Sequence, residues 1–200
     1  MSEALRFTLG SLCVLFLVVS GYYRFQSQRT REKLDRTKEG WPMLIGIRLT
    51  ALIVSSLTLI TLFRPSRFGW AFFAVDESIR WVGAFGFAVS VAWLLWMFHT
   101  LGRNLTDTVV TRQNAVLVTC GPYRFVRNPM YVGVCGIGLS LGVALGNWIP
   151  PVGYSLVFAL LAIRTRREER YLIERFGEAY SEYMRRVGRF FPKISFGHRA

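Results

Sequence analysis

The sequence predicts an all-α integral membrane protein of about five transmembrane helices in one membrane domain, 1–200. Three observations predict it. Apolar residues make up 52% of the chain and aromatic ones 15%, more than an ordinary soluble domain carries. Apolar runs of spanning or near-spanning length alternate with polar stretches. The 25 Lys and Arg, which leave a net charge of +13, fall mainly in three of those polar stretches. A basic balance commonly points to nucleic acid. Cations confined to loops between apolar runs read instead as a topology signal and as contact with anionic membrane lipid, so no nucleic-acid partner is expected.

Residues 4–23 form the first span. Glu3 offsets Arg6 and no small-residue cleavage site follows, which favours a retained helix over a signal peptide. Residues 24–40 are a basic loop. Residues 41–63 are the second span, opened by Trp41-Pro42, with Arg48 inside it either snorkelling or touching a lipid head or substrate. Pro65, Trp70, Phe72 and Phe73 mark an interfacial loop over 64–78. The third span runs from about Ile79 to His99. The fourth apolar run, about 130–146, places Gly138, Gly142 and Gly146 four apart on one face for close packing. Asn147-Trp148 turns the chain before Pro150-Pro151, and the run of about 150–163 closes a helical hairpin. Residues 164–192 read as a helix leaving the membrane, with Tyr171, Leu172, Phe176, Tyr180 and Tyr183 as its apolar face.

Loops 24–40, 102–128 and 164–200 hold 20 of the 25 Lys and Arg. Five spans, with the N-terminus outside and the C-terminus cytoplasmic, put all 20 on the cytoplasmic side. The short loops fit a bacterial inner membrane, and a monomer is expected. Cys13, Cys120 and Cys135 are odd in number and lack metal-ligand spacing, so free thiols and no metal site are expected.

The stretch that stands out is Cys120-Gly121-Pro122-Tyr123-Arg124-Phe125-Val126-Arg127-Asn128-Pro129-Met130-Tyr131. Gly121-Pro122 is turn chemistry, and Pro129 pushes Asn128 out of helix while itself suiting a first helical turn. Tyr123, Arg127, Asn128 and Tyr131 are thereby held on a constrained loop at a membrane surface. Past the fifth run, Arg164 and Glu168 lie four apart on one helix face and would meet that loop across the hairpin. A solvated salt bridge flanking a span is the plainer alternative.

Three parts of the chain resemble the isoprenylcysteine carboxyl methyltransferase family and its phospholipid methyltransferase relatives. They are the loop from Leu117-Val118 to Gly133, the tail from Glu168-Glu169 through Tyr180, Tyr183 and Val187-Gly188-Arg189-Phe190-Phe191-Pro192, and the upstream Leu101-Gly102-Arg103-Asn104. The resemblance divides the chain into a variable three-helix part over 1–100, a methyltransferase core over 101–193 and a tail over 194–200. It implies an integral membrane enzyme using S-adenosyl-L-methionine, with S-adenosyl-L-homocysteine as product and a cytoplasmic C-terminal helical segment closing the cofactor pocket. A lipophilic or lipidated substrate would enter from the bilayer. By motif position Leu117, Val118, Tyr123, Asn128, Pro129, Met130, Tyr131 and Glu168 would bind the cofactor. Arg164 and Arg127 would face the substrate, and Arg164 and Glu168 would be catalytic. Asn128 and Ala115 stand where the family usually has His. Asn128 still hydrogen-bonds; Ala115 does not.

A carboxylate nucleophile needs only orientation and partial loss of water, which an arginine fork supplies. An amine needs deprotonation, and Glu168 is then the base. The residues leave both open: carboxyl methylation of an isoprenylcysteine-like molecule, or N-methylation of a phosphatidylethanolamine-type lipid. An NADPH-dependent membrane reductase and a non-catalytic lipid-binding scaffold are the readings from other classes.

Overall fold

The computed structural model describes residues 1–29, 41–101 and 116–193. Most of the basic loop 24–40, the stretch 102–115 with Arg103, Asn104 and Ala115, and the tail 194–200 lie outside the described residues. Helix α1 runs Glu3–Arg29, α2 Trp41–Phe63, α3 Glu77–Leu101, α4 Pro129–Leu145, α5 Ile149–Phe176 and α6 Glu178–Arg186. Short 3-10 turns occupy Pro65–Ala71 and Gly121–Arg124.

Stretches long and apolar enough to cross a membrane occur in α1, α2 and α3, at Glu3–Tyr23, Met43–Phe63 and Glu77–Leu101. Helix α4 is apolar but has 17 residues. At 1.5 Å per residue it spans about 25 Å, short of the roughly 30 Å hydrocarbon core. Helix α5 has 28 residues, about 42 Å, and runs unbroken from its apolar half through the charged segment to Phe176. The predicted fifth run therefore continues into polar sequence as one helix, and the Arg164–Glu168 pair at 3.2 Å supports that continuation. The chain then turns at Gly177, whose φ is +56°, into α6.

The Ser2 amide and hydroxyl donate to Glu77, and Tyr23 meets His99 at 3.3 Å, so α1 and α3 run parallel and pack on each other, while α2 packs on α5. The α4–α5 turn joins the α2–α3 loop on the face that holds the N-termini of α1 and α3. There Phe73 N donates to Gly146 O at 2.8 Å and Trp148 N to Ala71 O at 3.1 Å. Gly146 closes α4 in the left-handed region, at φ +61°. The opposite face carries the start of α4, the end of α3 and the charged half of α5.

Between helices in lipid there is little hydrophobic driving force, so close backbone packing must hold the bundle. Glycine provides it on both sides of α4. A Cβ on Gly83 would lie 2.4 Å from Ala144 N, one on Gly138 2.4 Å from Tyr154 Cβ, and one on Gly142 2.6 Å from Pro151 Cδ. The spacing correctly aims Gly138 and Gly142 at α5, whereas Gly146 serves the turn. Hydroxyls inside the helices bond back to the preceding turn, as Thr58 does to Val54 O and Ser90 to Gly86 O, both at 2.8 Å. Phe7, Leu17, Leu52, Val82, Phe85 and Val152 are exposed on the outer surface, as lipid contact requires.

Gly83→Ala must push α3 from the α4 backbone. It is expected to cost roughly 1–3 kcal/mol, read as a lower thermal midpoint in detergent. Gly46→Ala, where nothing lies within 4 Å of the added Cβ, is expected to leave the midpoint unchanged or raised. Equal midpoints for both variants would contradict the packing role.

Candidate functional site

The predicted loop is built as its residues dictate. Gly121 takes a φ of +59°, with Thr100 packed where a Cβ would stand. Pro122 is buried inside the 3-10 turn. Asn128, at φ −124°, leads into α4 with Pro129 in the first turn. Trp93 Nε1 donates to Pro129 O at 2.9 Å and pins the start of α4 to α3.

A C-terminal strap lies alongside this loop. Val126 and Gly188 form a parallel bridge. Arg127 N donates to Gly188 O at 2.8 Å, while the Asn128 amide and side-chain nitrogen donate to Arg189 O at 3.1 and 3.3 Å. Glu169 locks loop, strap and α5 together. Arg127 donates to its carboxylate through Nε at 3.1 Å and Nη2 at 2.8 Å, and Arg189 grips the same carboxylate through Nε at 3.2 Å and through Nη2. Glu169 is 5% exposed, so this is a desolvated charge held by two cations. The remaining Arg127 donor caps the end of α6 at Met184 O, 3.2 Å away, and at Val187 O.

Beneath the clamp lies a cavity of about 130 Å³. Leu117, Val118, Tyr123, Asn128 and Glu168 line it, together with Arg127 and, from α5 and α6, Phe176, Tyr180 and Tyr183. Tyr183 donates to Tyr123 O at 2.6 Å. Burial pushes the Tyr123, Tyr180 and Tyr183 phenols well above their ordinary range, so all three are neutral donors. Beside it an apolar groove of about 600 Å³ is lined by Trp93, Phe125, Val132, Cys135, Phe158 and Phe190. Phe190 of the groove packs on Tyr131, with ring centroids 6.2 Å apart. The Tyr131 hydroxyl donates to Glu168 Oε2 at 2.6 Å, and Arg164 Nε meets Glu168 Oε1 at 3.2 Å. Arg164 is 9% exposed; its pair to Glu168 runs through Nε, so that contact leaves the Nη edge of the fork unused.

The fold thus gathers Leu117, Val118, Tyr123, Asn128 and Glu168 around one cavity and sets Tyr131 and Arg164 against Glu168. Pro129 and Met130 pack into the helix core instead. Arg127 departs from the substrate-facing expectation. Although it borders the cavity, its guanidinium is committed to Glu169 and to the α6 carbonyls, so it positions the loop. Sequence reasoning assigned no role to Glu169, Arg189 or Phe190. One signal for Glu169 was present: adjacent residues of a helix point about 100° apart, so Glu168 and Glu169 could not both serve Arg164.

Residues 82–174 match the isoprenylcysteine carboxyl methyltransferase (ICMT) family. Over those residues the chain is similar to that family. The Protein-S-isoprenylcysteine O-methyltransferase of Dictyostelium discoideum is 36% identical over 135 residues, 62% of this chain and 55% of that protein. The Cobalt-zinc-cadmium resistance protein CzcN of Cupriavidus metallidurans is 40% identical over 101 residues, 48% of this chain and 45% of its own. The fold resembles the solved eukaryotic intramembrane Ras methyltransferase ICMT, with a TM-score of 0.53 at 24% identity over 74% of this chain and 52% of that one. The chain spans about half the length of the ICMT relatives it matches. The matched ICMT region covers most of α3, all of α4 and nearly all of α5, and so the elements that carry Trp93, Tyr131, Arg164, Glu168 and Glu169.

Glu169→Ala leaves Arg127 and Arg189 without their shared carboxylate. It is expected to cost roughly 3–5 kcal/mol and to expose the strap to trypsin at Arg189 and Lys193. Glu178→Ala breaks a pair to Arg185 whose side chains are 78% and 64% exposed, and is expected to change stability by less than about 1 kcal/mol. Undiminished stability and trypsin resistance in Glu169→Ala would remove the clamp from the account.

Proposed function

We propose that this protein is an integral membrane methyltransferase that moves a methyl group from S-adenosyl-L-methionine to the carboxylate of a lipophilic, isoprenylcysteine-like substrate. The reading includes five spans, with the cavity, α6 and the basic loops on the cytoplasmic side next to anionic lipid. The observation that carries it is the Arg164–Glu168 pair, joined by Tyr131, beside a carboxylate- and tyrosine-lined cavity.

The donor set fits the cofactor. Neutral aromatic faces from Tyr123, Phe176, Tyr180 and Tyr183 with the Glu168 carboxylate suit a cationic sulfonium and its adenine. When bound, the sulfonium supplies an electrophilic methyl group and leaves as a neutral thioether. The chain's residues do the rest. The Nη edge of Arg164 holds the acceptor carboxylate in one plane. Glu168, fixed by Tyr131 and Arg164, keeps that fork oriented. The apolar groove takes the lipid tail and excludes water, which otherwise shields the attacking oxygen. A carboxylate acceptor on Arg164 would need no proton moved, so no general base is asked of Glu168. Both Glu168 oxygens are already engaged as acceptors, a poor arrangement for deprotonating an amine. That favours the carboxylate over the phospholipid amine.

The test is transfer of labelled methyl from S-adenosyl-L-methionine to N-acetyl-S-farnesylcysteine by the detergent-purified chain, beside the corresponding amide and phosphatidylethanolamine. Methylation of the free acid alone is expected. Arg164→Ala is expected to lower turnover about a hundredfold or more while S-adenosyl-L-homocysteine still binds; Glu168→Gln is expected to weaken that binding as well. Methylation of phosphatidylethanolamine alone, or full activity in both variants, would overturn the assignment.

A further inference from the structure

On the face opposite this site, a groove of about 1080 Å³ follows α1 past the end of α2. Its lining includes Glu3, Arg6, Phe7, Val14, Val18 and Phe63. We propose that it binds an anionic phospholipid, with the phosphate on Arg6 and one acyl chain laid along α1.

Three observations point to that occupant. First, Leu5 and Leu9 turn inward, fully buried in the helix core, while Phe7, Val18 and Phe63 are 77%, 64% and 58% exposed. The groove is therefore the unpartnered side of α1 and needs an apolar filling. Second, Arg6 lines the groove one turn inside a segment apolar enough to span, and it is only partly buried there. A guanidinium edge at that depth is costly unless it meets an acceptor, and a phosphate oxygen is the strong one available there. Glu3 shares the lining but gives Arg6 Nε no hydrogen bond, and it is exposed at the outer end. Third, the length agrees. From Arg6 to Val18 the helix rises about 18 Å, and one leaflet of hydrocarbon is about 15 Å deep. A headgroup at Arg6 thus lets a chain end near Val18. A packed helix would fill the apolar part but bring no phosphate to Arg6.

The site is separate from the proposed methyl-transfer site and stands or falls independently of it. The full chain, purified in a neutral detergent, is titrated with dioleoyl phosphatidylglycerol and with dioleoyl phosphatidylcholine, and retained lipid is counted by native mass spectrometry. One phosphatidylglycerol per chain, with roughly tenfold preference over phosphatidylcholine, is the expected result for one charge-assisted contact. Arg6→Gln is expected to abolish the preference and Arg6→Lys to keep part of it. Arg67→Ala removes the same charge from an exposed position on the same face and is expected to keep all of it. Equal retention of the two lipids by the wild type would overturn the proposal. So would an equal loss of preference in Arg67→Ala, which indicates diffuse attraction. A dimer that retains no lipid and dissociates in Arg6→Gln would assign the groove to a second copy.

Discussion

The site depends on one carboxylate. Glu169 is buried on α5, and the guanidinium groups of Arg127 and Arg189 reach it from two segments distant in sequence. A single buried carboxylate there would be untenable, and two arginines without it would repel each other across a few ångströms. Only the three together are stable, so the loop after α3, the middle of α5 and the strap after α6 must assemble as a unit. What that assembly places is chemical. Asn128 is hydrogen-bonded to the strap, α6 presents Tyr180 and Tyr183 to the cavity, and Phe190 becomes a wall of the groove.

The depth of the site follows from a second constraint. Helix α4 is too short to cross the hydrocarbon alone, and glycines bind it tightly to α3 and α5. Its N-terminus, and with it Tyr131, is therefore drawn toward the apolar layer, while α5 runs on past it and carries Arg164 and Glu168 to the same level. The arginine and the glutamate at that boundary face each other, and the glutamate also accepts from Tyr131. Extending α4 by two turns would lift Tyr131 away from Glu168 and leave both charges exposed to lipid.

Much of this was legible in the sequence because it is local. Apolar run lengths gave α1, α2 and α3 within a few residues. Gly121-Pro122 and Asn128-Pro129 gave the turn and the start of α4, and the i,i+4 rule gave the Arg164–Glu168 pair. What stayed hidden is pairing across elements. Arg127 and Arg164 look alike in a sequence, each a cation beside apolar residues, yet one is spent on Glu169 and the other on Glu168. Their difference is fixed by where Gly188-Arg189 docks, and no periodicity encodes that register. The same holds for Phe190, whose place beside Tyr131 and Phe158 depends on the strap bridging to Val126.

Tyr131 and Phe190 bear on how a cavity and a groove can work together. A methyl group in an in-line displacement moves only a bond length or so, and donor and acceptor must approach within about 3–3.5 Å. Two compartments separated by a thick wall cannot exchange it. Here Phe190 of the groove packs on the Tyr131 ring, and the Tyr131 hydroxyl is bonded to Glu168 of the cavity. The lining of the apolar groove carries no charged side chain, whereas Glu168 on the cavity side is met by both Arg164 and the Tyr131 hydroxyl. Arg127, equally close in sequence to the apolar helix, is held instead by Glu169. The clamp that builds the site thus separates two arginines that the sequence leaves alike, fixing one to Glu169 and leaving the other to Glu168.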